Sequence, residues 1–189
     1  MNSALVAKLR AKIGKRATGG DPQSLLRFLR NKNEKKFVTA FLHGIEHDSK
    51  DFQYYMNLWN STKQLDKPHR KAMQHVLGTE IDLQNILWTY RLKKFYGIFG
   101  DTTYGFLVPV RHRLPADIFL HMVSSQNVNS MQSILSNTVY HHVFGDFSNA
   151  QECLSNAVKA RYRAEMRRSH VALLCGYLYE YRTPNEVYQ

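Results

Sequence analysis

Cysteine is nearly absent from this 189-residue chain: Cys153 and Cys175 are its two cysteines, and no Cys-x-x-Cys pair occurs. That excludes a zinc ribbon and a fold built on disulfides, and both thiols read as reduced and intracellular. Five prolines and ten glycines are too few for a collagen-like or low-complexity chain. A long apolar run is missing too. The opening MNSALVAKLRAKIGKR spreads charge along a helical pattern, unlike a secretory signal, and the uncharged stretch 118–145 is studded with Ser, Asn, Gln and His, so neither reads as a membrane segment. There is no Gly-rich phosphate loop, no Gly-x-Ser-x-Gly elbow and no nucleophile set beside a base. The sequence therefore predicts no catalytic residues, no nucleotide hydrolysis by the chain itself and no cofactor.

What is present is a globular composition, 43% hydrophobic and 22% charged, with 26 Lys+Arg against 15 Asp+Glu. The net charge of +11 calls for an acidic partner such as nucleic acid, anionic lipid or an acidic protein. The charge is terminal. Residues 1–36 hold ten basic and two acidic side chains, residues 37–158 hold ten of each, and residues 159–182 hold six and two. In the first segment Lys8, Lys12 and Lys15 share one helical face while Leu5, Leu9 and Ile13 share another.

Apolar spacing near 3.6 runs through almost every segment, which predicts an all-α protein, a multi-lobed helical bundle. Helices are expected over 3–14, 22–31, 34–46, 50–62, 68–77, 80–96, 115–124, 127–143, 148–160 and 162–180, with Pro22, Pro68 and Pro115 at helix starts. The stretch 22–48 can be laid on 115–141 with a shift of 93 residues, so that Leu25, Leu26, Leu29, Val38, Phe41 and Leu42 fall on Ile118, Phe119, Met122, Met131, Ile134 and Leu135. This is the pattern of a repeated helical hairpin. Two lobes are expected, residues 1–67 and 68–189.

The helix over 80–96 carries the most information. Thr79 is placed as its cap, with Glu80 and Asp82 at the positive end of the dipole and Lys93, Lys94 and Gly97 at its stop. Ile81, Trp88, Leu92 and Phe95 form one apolar arc, and Leu83, Ile86, Leu87 and Tyr90 form a second. Between them run two polar seams, Glu80-Gln84-Arg91 and Asp82-Asn85-Thr89-Lys93. A helix apolar on two faces packs between layers, so substantial burial is expected.

The sequence GTEIDLQNILWTYRLKKFYG over 78–97, followed by VPVRHRL over 108–114, closely resembles the d/C-type central-stalk subunit of V-type and A-type rotary ATPases. The Glu-Ile-x-x-x-Asn-Ile run and the Arg-x-Lys after it are the specific part, and the opening NSALVAKLRAKIGKR is similar to that family's first helix. The resemblance implies a three-lobed helical funnel, here partial or shortened, between the central rotor stalk and the membrane proteolipid ring. It also implies a non-catalytic coupler for ion transport, peripheral on the cytoplasmic face of the membrane. The side chains taken as interface candidates are Lys8, Lys12 and Lys15 on the first helix and Glu80, Gln84, Arg91 and Lys94 on the informative one. Thr183-Pro184-Asn185-Glu186 is a helix-start signature three residues before the end of the sequence, which leads us to expect further residues beyond Gln189 in the natural protein.

Other patterns carry less. His43-Gly-Ile-Glu46-His47 matches the zinc motif H-x-x-E-H, but Gly44 weakens the helix between the histidines and the other hairpin copy has Ser136 and Tyr140 there, so no metal is expected. His141 and His142 point about 100° apart on a helix and read as a surface pair at the hairpin end. Phe52, Tyr54, Tyr55, Trp59, Tyr177, Tyr179 and Tyr181 beside basic ends leave a helical nucleic-acid-binding protein as the alternative. The charge-neutral middle fits a continuous phosphate groove poorly.

Overall fold

The computed structural model describes residues 26–46, 50–144 and 147–182, and among them every regular element is helical. A short 3₁₀ turn over 26–28 leads into α1 (Lys32–Glu46), α2 (Phe52–Thr62) and α3 (Lys67–Arg91), which runs on into a π-helical turn (Leu92–Tyr96). Then come α4 (Asp101–Tyr104), α5 (Ala116–Ser124), α6 (Val128–Leu135), α7 (Ala150–Glu165) and α8 (His170–Arg182). The expected helices over 3–14 and the start of 22–31, Lys8, Lys12, Lys15, and the signature at 183–186 lie outside the described residues.

The backbone forms two compact units, one from residues 1–76 and 159–189 and the other from residues 77–158. The lobes expected at 1–67 and 68–189 divide the chain once, whereas the first unit is closed by the return of its C-terminal segment. Its described core joins Phe37, Val38, Phe41 and Leu42 of α1, Tyr55 and Leu58 of α2, and Met73 of α3 to Tyr162 of α7 and Val171, Leu174 and Leu178 of α8. Helix α8 is apolar all round, with residues 171–176 buried without a break, as suits a helix enclosed by its neighbours. Phe41 meets Tyr162 edge-on at 6.2 Å.

Local chemistry sets the helix starts. The Asn31 side chain accepts from the Glu34 N–H at 2.9 Å, Asp51 accepts from Tyr54 N–H at 2.8 Å, and Asn127 accepts from Ser130 N–H at 2.8 Å. Pro68 lies in the first turn of α3 and Pro115 caps α5, as the sequence predicts.

Several boundaries differ from expectation, and in the described part of the helix expected over 22–31 only the 3₁₀ turn 26–28 forms. The break placed at Gly78 and Thr79 does not exist, and α3 passes through both. Glycine there serves a close approach, since a Cβ would lie 2.6 Å from His112 Cβ. Helix α6 ends at Leu135 and not at 143, and turns carry the exposed, edge-to-face His141–His142 pair. Helix α7 continues to Glu165 before the next break, so the boundary expected near 161 falls five residues later. At the repeat, Leu29 and Met122, Val38 and Met131, and Leu42 and Leu135 are buried in both copies. Phe41 is buried where Ile134 is half-exposed.

Candidate functional site: a polar seam along helix α3

From Leu77 to Leu87 every residue of α3 is buried, as expected, and the arc Leu83, Ile86, Leu87 and Tyr90 is buried throughout, whereas in the other arc only Ile81 is, Trp88 and Leu92 being half-buried. A helix enclosed in this way must satisfy its polar side chains inside the protein, and the seam Asp82-Asn85-Thr89-Lys93 does so on backbone groups, most of them outside the helix. Asp82 Oδ1 accepts from His112 N–H at 3.0 Å. Its Oδ2 accepts from Arg113 N–H at 2.7 Å, Leu114 N–H at 3.1 Å and Tyr140 O–H at 2.8 Å. Burial pushes the carboxyl above its usual range and outweighs these four donors, which pull it down.

One turn on, the Asn85 amide donates to Val108 C=O at 2.9 Å and its carbonyl accepts from Val108 N–H at 2.9 Å, in the manner of a paired strand. Thr89 Oγ1 donates back to Asn85 C=O at 2.7 Å. Lys93, buried in the π-helical turn, donates to Val123 C=O at 2.7 Å and to Ser125 C=O, two carbonyls at the end of α5. A cation there meets the negative end of that helix, while burial lowers the lysine's pKa. Three side chains of this strip, Asp82, Asn85 and Lys93, thus fix segment 108–114 and the α5 terminus, while Thr89 bonds within its own helix.

The end of α3 is different. The π-helical turn stops at Gly97, whose φ of 61° favours glycine. Phe95 was expected on the apolar arc with Ile81. The widened turn takes it out of register, and it is 67% exposed beside Tyr96 at 72%. Tyr90 stacks on Phe147 at 4.1 Å, and Phe147 on Phe144 at 5.1 Å.

Of the interface candidates on this helix, Glu80 is 2% and Gln84 9% exposed. Arg91 is exposed and reaches Gln151 Oε1 at 3.4 Å, and Lys94 is exposed and donates to Tyr90 Oη at 2.6 Å. Of these four candidates, therefore, the two that are exposed lie at and just beyond the C-terminal end of α3.

A second polar group sits in the other unit. Glu34 in α1, His69 in α3 and His170 in α8 bring their ligand atoms within 4.8 Å of one another. His170 Nε2 lies 2.8 Å from Glu34 Oε2, and His69 Nε2 lies 3.8 Å from Glu34 Oε1. Burial raises the Glu34 carboxyl, but the hydrogen bonds from His170 and Arg30 N–H and the charge of both imidazoles outweigh it, leaving it below its usual range. Burial, then the neighbouring His170, lowers His69. Sequence spacing could not join these three residues, though Asn31-x-x-Glu34 is a legible cap. In the motif at 43–47, His43 is exposed, and His47 and the Glu46 side chain lie outside the described residues.

The model of the ATP synthase (C/AC39) subunit family matches residues 22–179. The chain belongs to this family. No match is found among curated proteins or among solved structures. The chain is thus a V/A-type ATPase subunit, part of a membrane-associated complex, and the resemblance read at 78–114 extends over most of its length. No helix among the described residues of this AC39-family chain is long and apolar enough to cross a membrane.

Proposed function

We propose that this AC39-family chain is a non-catalytic coupling subunit that joins the central rotor stalk of a V/A-type ATPase to the membrane proteolipid ring, as a peripheral subunit on the cytoplasmic face. Membership of the family over residues 22–179 is the observation that carries this reading. The physics of α3 supports it. A coupler must transmit torque without yielding, and a buried helix whose polar strip pins its own loops is stiff because packed interiors have low compressibility. Such a role asks for no bond-making group, and the polar strip is occupied in holding backbone.

The interface residues we assign are the exposed Arg91 and Lys94 with the flanking Phe95 and Tyr96, a basic and aromatic surface of the composition that fits a protein partner. Lys8, Lys12 and Lys15 remain candidates for an acidic stalk or lipid surface, and Glu80 and Gln84 support the helix from inside. Affinity purification of the tagged chain from its own cells tests the reading. Stalk and ring subunits should come with it, and recovery of neither contradicts the assignment.

A further inference from the structure

We propose that Glu34, His69 and His170 form a binding site for a divalent transition-metal ion of the zinc class. This is a structural staple of the unit built from residues 1–76 and 159–189, independent of the coupling role. Two imidazoles and one carboxylate are a recurrent zinc ligand set, and three protein ligands leave a fourth position to water. The three side chains come from three helices, α1, α3 and α8, so an ion would tie together segments 35 and 101 residues apart in sequence (34 to 69, 69 to 170).

The geometry is near what zinc requires. Tetrahedral bonds of about 2.0–2.1 Å place ligand atoms roughly 3.4 Å apart. His170 Nε2 lies 2.8 Å from Glu34 Oε2 and His69 Nε2 lies 3.8 Å from the other oxygen, Oε1, and with one ligand atom taken from each residue no pair exceeds 4.8 Å. Both histidines aim Nε2 at the carboxylate, and their rings stand 72° apart, with centroids 4.3 Å from each other.

The surroundings orient the ligands as metal sites demand. His69 Nδ1 lies 2.9 Å from Ser169 Oγ, which itself accepts from Ala172 N–H at 3.1 Å. With Nδ1–H donating to that oxygen, the Nε2 lone pair is free for the ion. Glu34 is held by Arg30 N–H at 2.7 Å on Oε2 and by the Asn31 amide at 3.1 Å on Oε1. The site is nearly closed, with Glu34 and His170 buried and His69 half-buried, and the open side at His69 is where water completes the shell. The positive ends of three helices meet here and oppose a cation, so the ion must draw its affinity from the carboxylate and both imidazoles together.

The test uses the full-length chain stripped with a chelator, dialysed and titrated with zinc chloride, with bound zinc measured by metal analysis and stability by thermal melting. One zinc per chain, a melting temperature that climbs with zinc, and affinity at least ~100-fold weaker in His69→Gln and His170→Gln are expected. His43→Ala should bind as wild type does. His69→Gln, at the more open position, keeps the test valid if His170→Gln fails to fold. Folded wild-type chain that takes up no stoichiometric zinc overturns the proposal, leaving a hydrogen-bonded Glu–His network. Zinc lost in His43→Ala and retained in His69→Gln also overturns it, by placing the ion at residues 43–47.

Discussion

Replacing Asp82 with alanine removes the acceptor of four donors at once, which makes it the sharpest probe of the seam. Leu114 N–H and Tyr140 O–H are buried and find no water, whereas His112 N–H and Arg113 N–H are partly open and recover some. An unsatisfied buried donor costs about 1–3 kcal/mol, so the two buried ones cost roughly 2–6 kcal/mol together. Relief of the carboxylate's own burial offsets about 1–2 kcal/mol of that, leaving a net loss of roughly 1–4 kcal/mol. For a chain of this size the melting temperature should fall by roughly 2–16 °C in a far-UV circular dichroism melt. Asp82→Asn should cost less, about 1–2 kcal/mol, because its amide oxygen can face Arg113, Leu114 and Tyr140 while its NH₂ meets only His112 N–H. Tyr140→Phe should cost about 1 kcal/mol, and the double variant with Asp82→Ala should fall short of the sum because the two share one hydrogen bond. An Asp82→Ala chain within ~0.5 kcal/mol of wild type would refute the reasoning.

Because burial holds the Asp82 carboxyl above its usual value, the folded state binds this proton at a higher pH than the unfolded chain. Its contribution to stability thus falls as pH rises through the folded pKa, and the wild-type advantage over Asp82→Asn should grow from neutral pH toward about pH 4 in urea titrations. Asn85→Asp, isosteric but without the donor to Val108 C=O, should lose about 2–4 kcal/mol in the same titrations. Gly78→Ala should destabilise in spite of alanine's ~1 kcal/mol better helix propensity, since the new Cβ collides with His112 Cβ on a segment that Asp82 pins; a rise in melting temperature would count against that fit. Burial pushes the Cys175 thiol far above its ordinary value, so a thiol reagent should modify Cys153 in the native chain and Cys175 only after unfolding; equal rates would contradict the described core.

Much of the helical content was legible because period-3.6 spacing reports which side faces a core. The double apolar arc of 80–96 announced burial, and the seam Asp82-Asn85-Thr89-Lys93 appeared as a strip before any partner was known. Its partners were not legible: Val108, residues 112–114, Tyr140 and the α5 carbonyls come together only when the second unit closes. Gly78 misled for a related reason, since a glycine that admits a close neighbour looks in sequence like one that ends a helix. Phe95 left the predicted arc because a π-helical turn shifts register, a change to which the 100° count is blind. Glu34, His69 and His170 escaped because their proximity is wholly tertiary.

The central claim is coupling, and ion transport per ATP hydrolysed in the reconstituted ATPase, with and without this chain, measures it most directly. The account predicts that complexes lacking the chain still hydrolyse ATP in their soluble head but move no ions, and that adding the purified chain restores transport. Undiminished transport without the chain would contradict it.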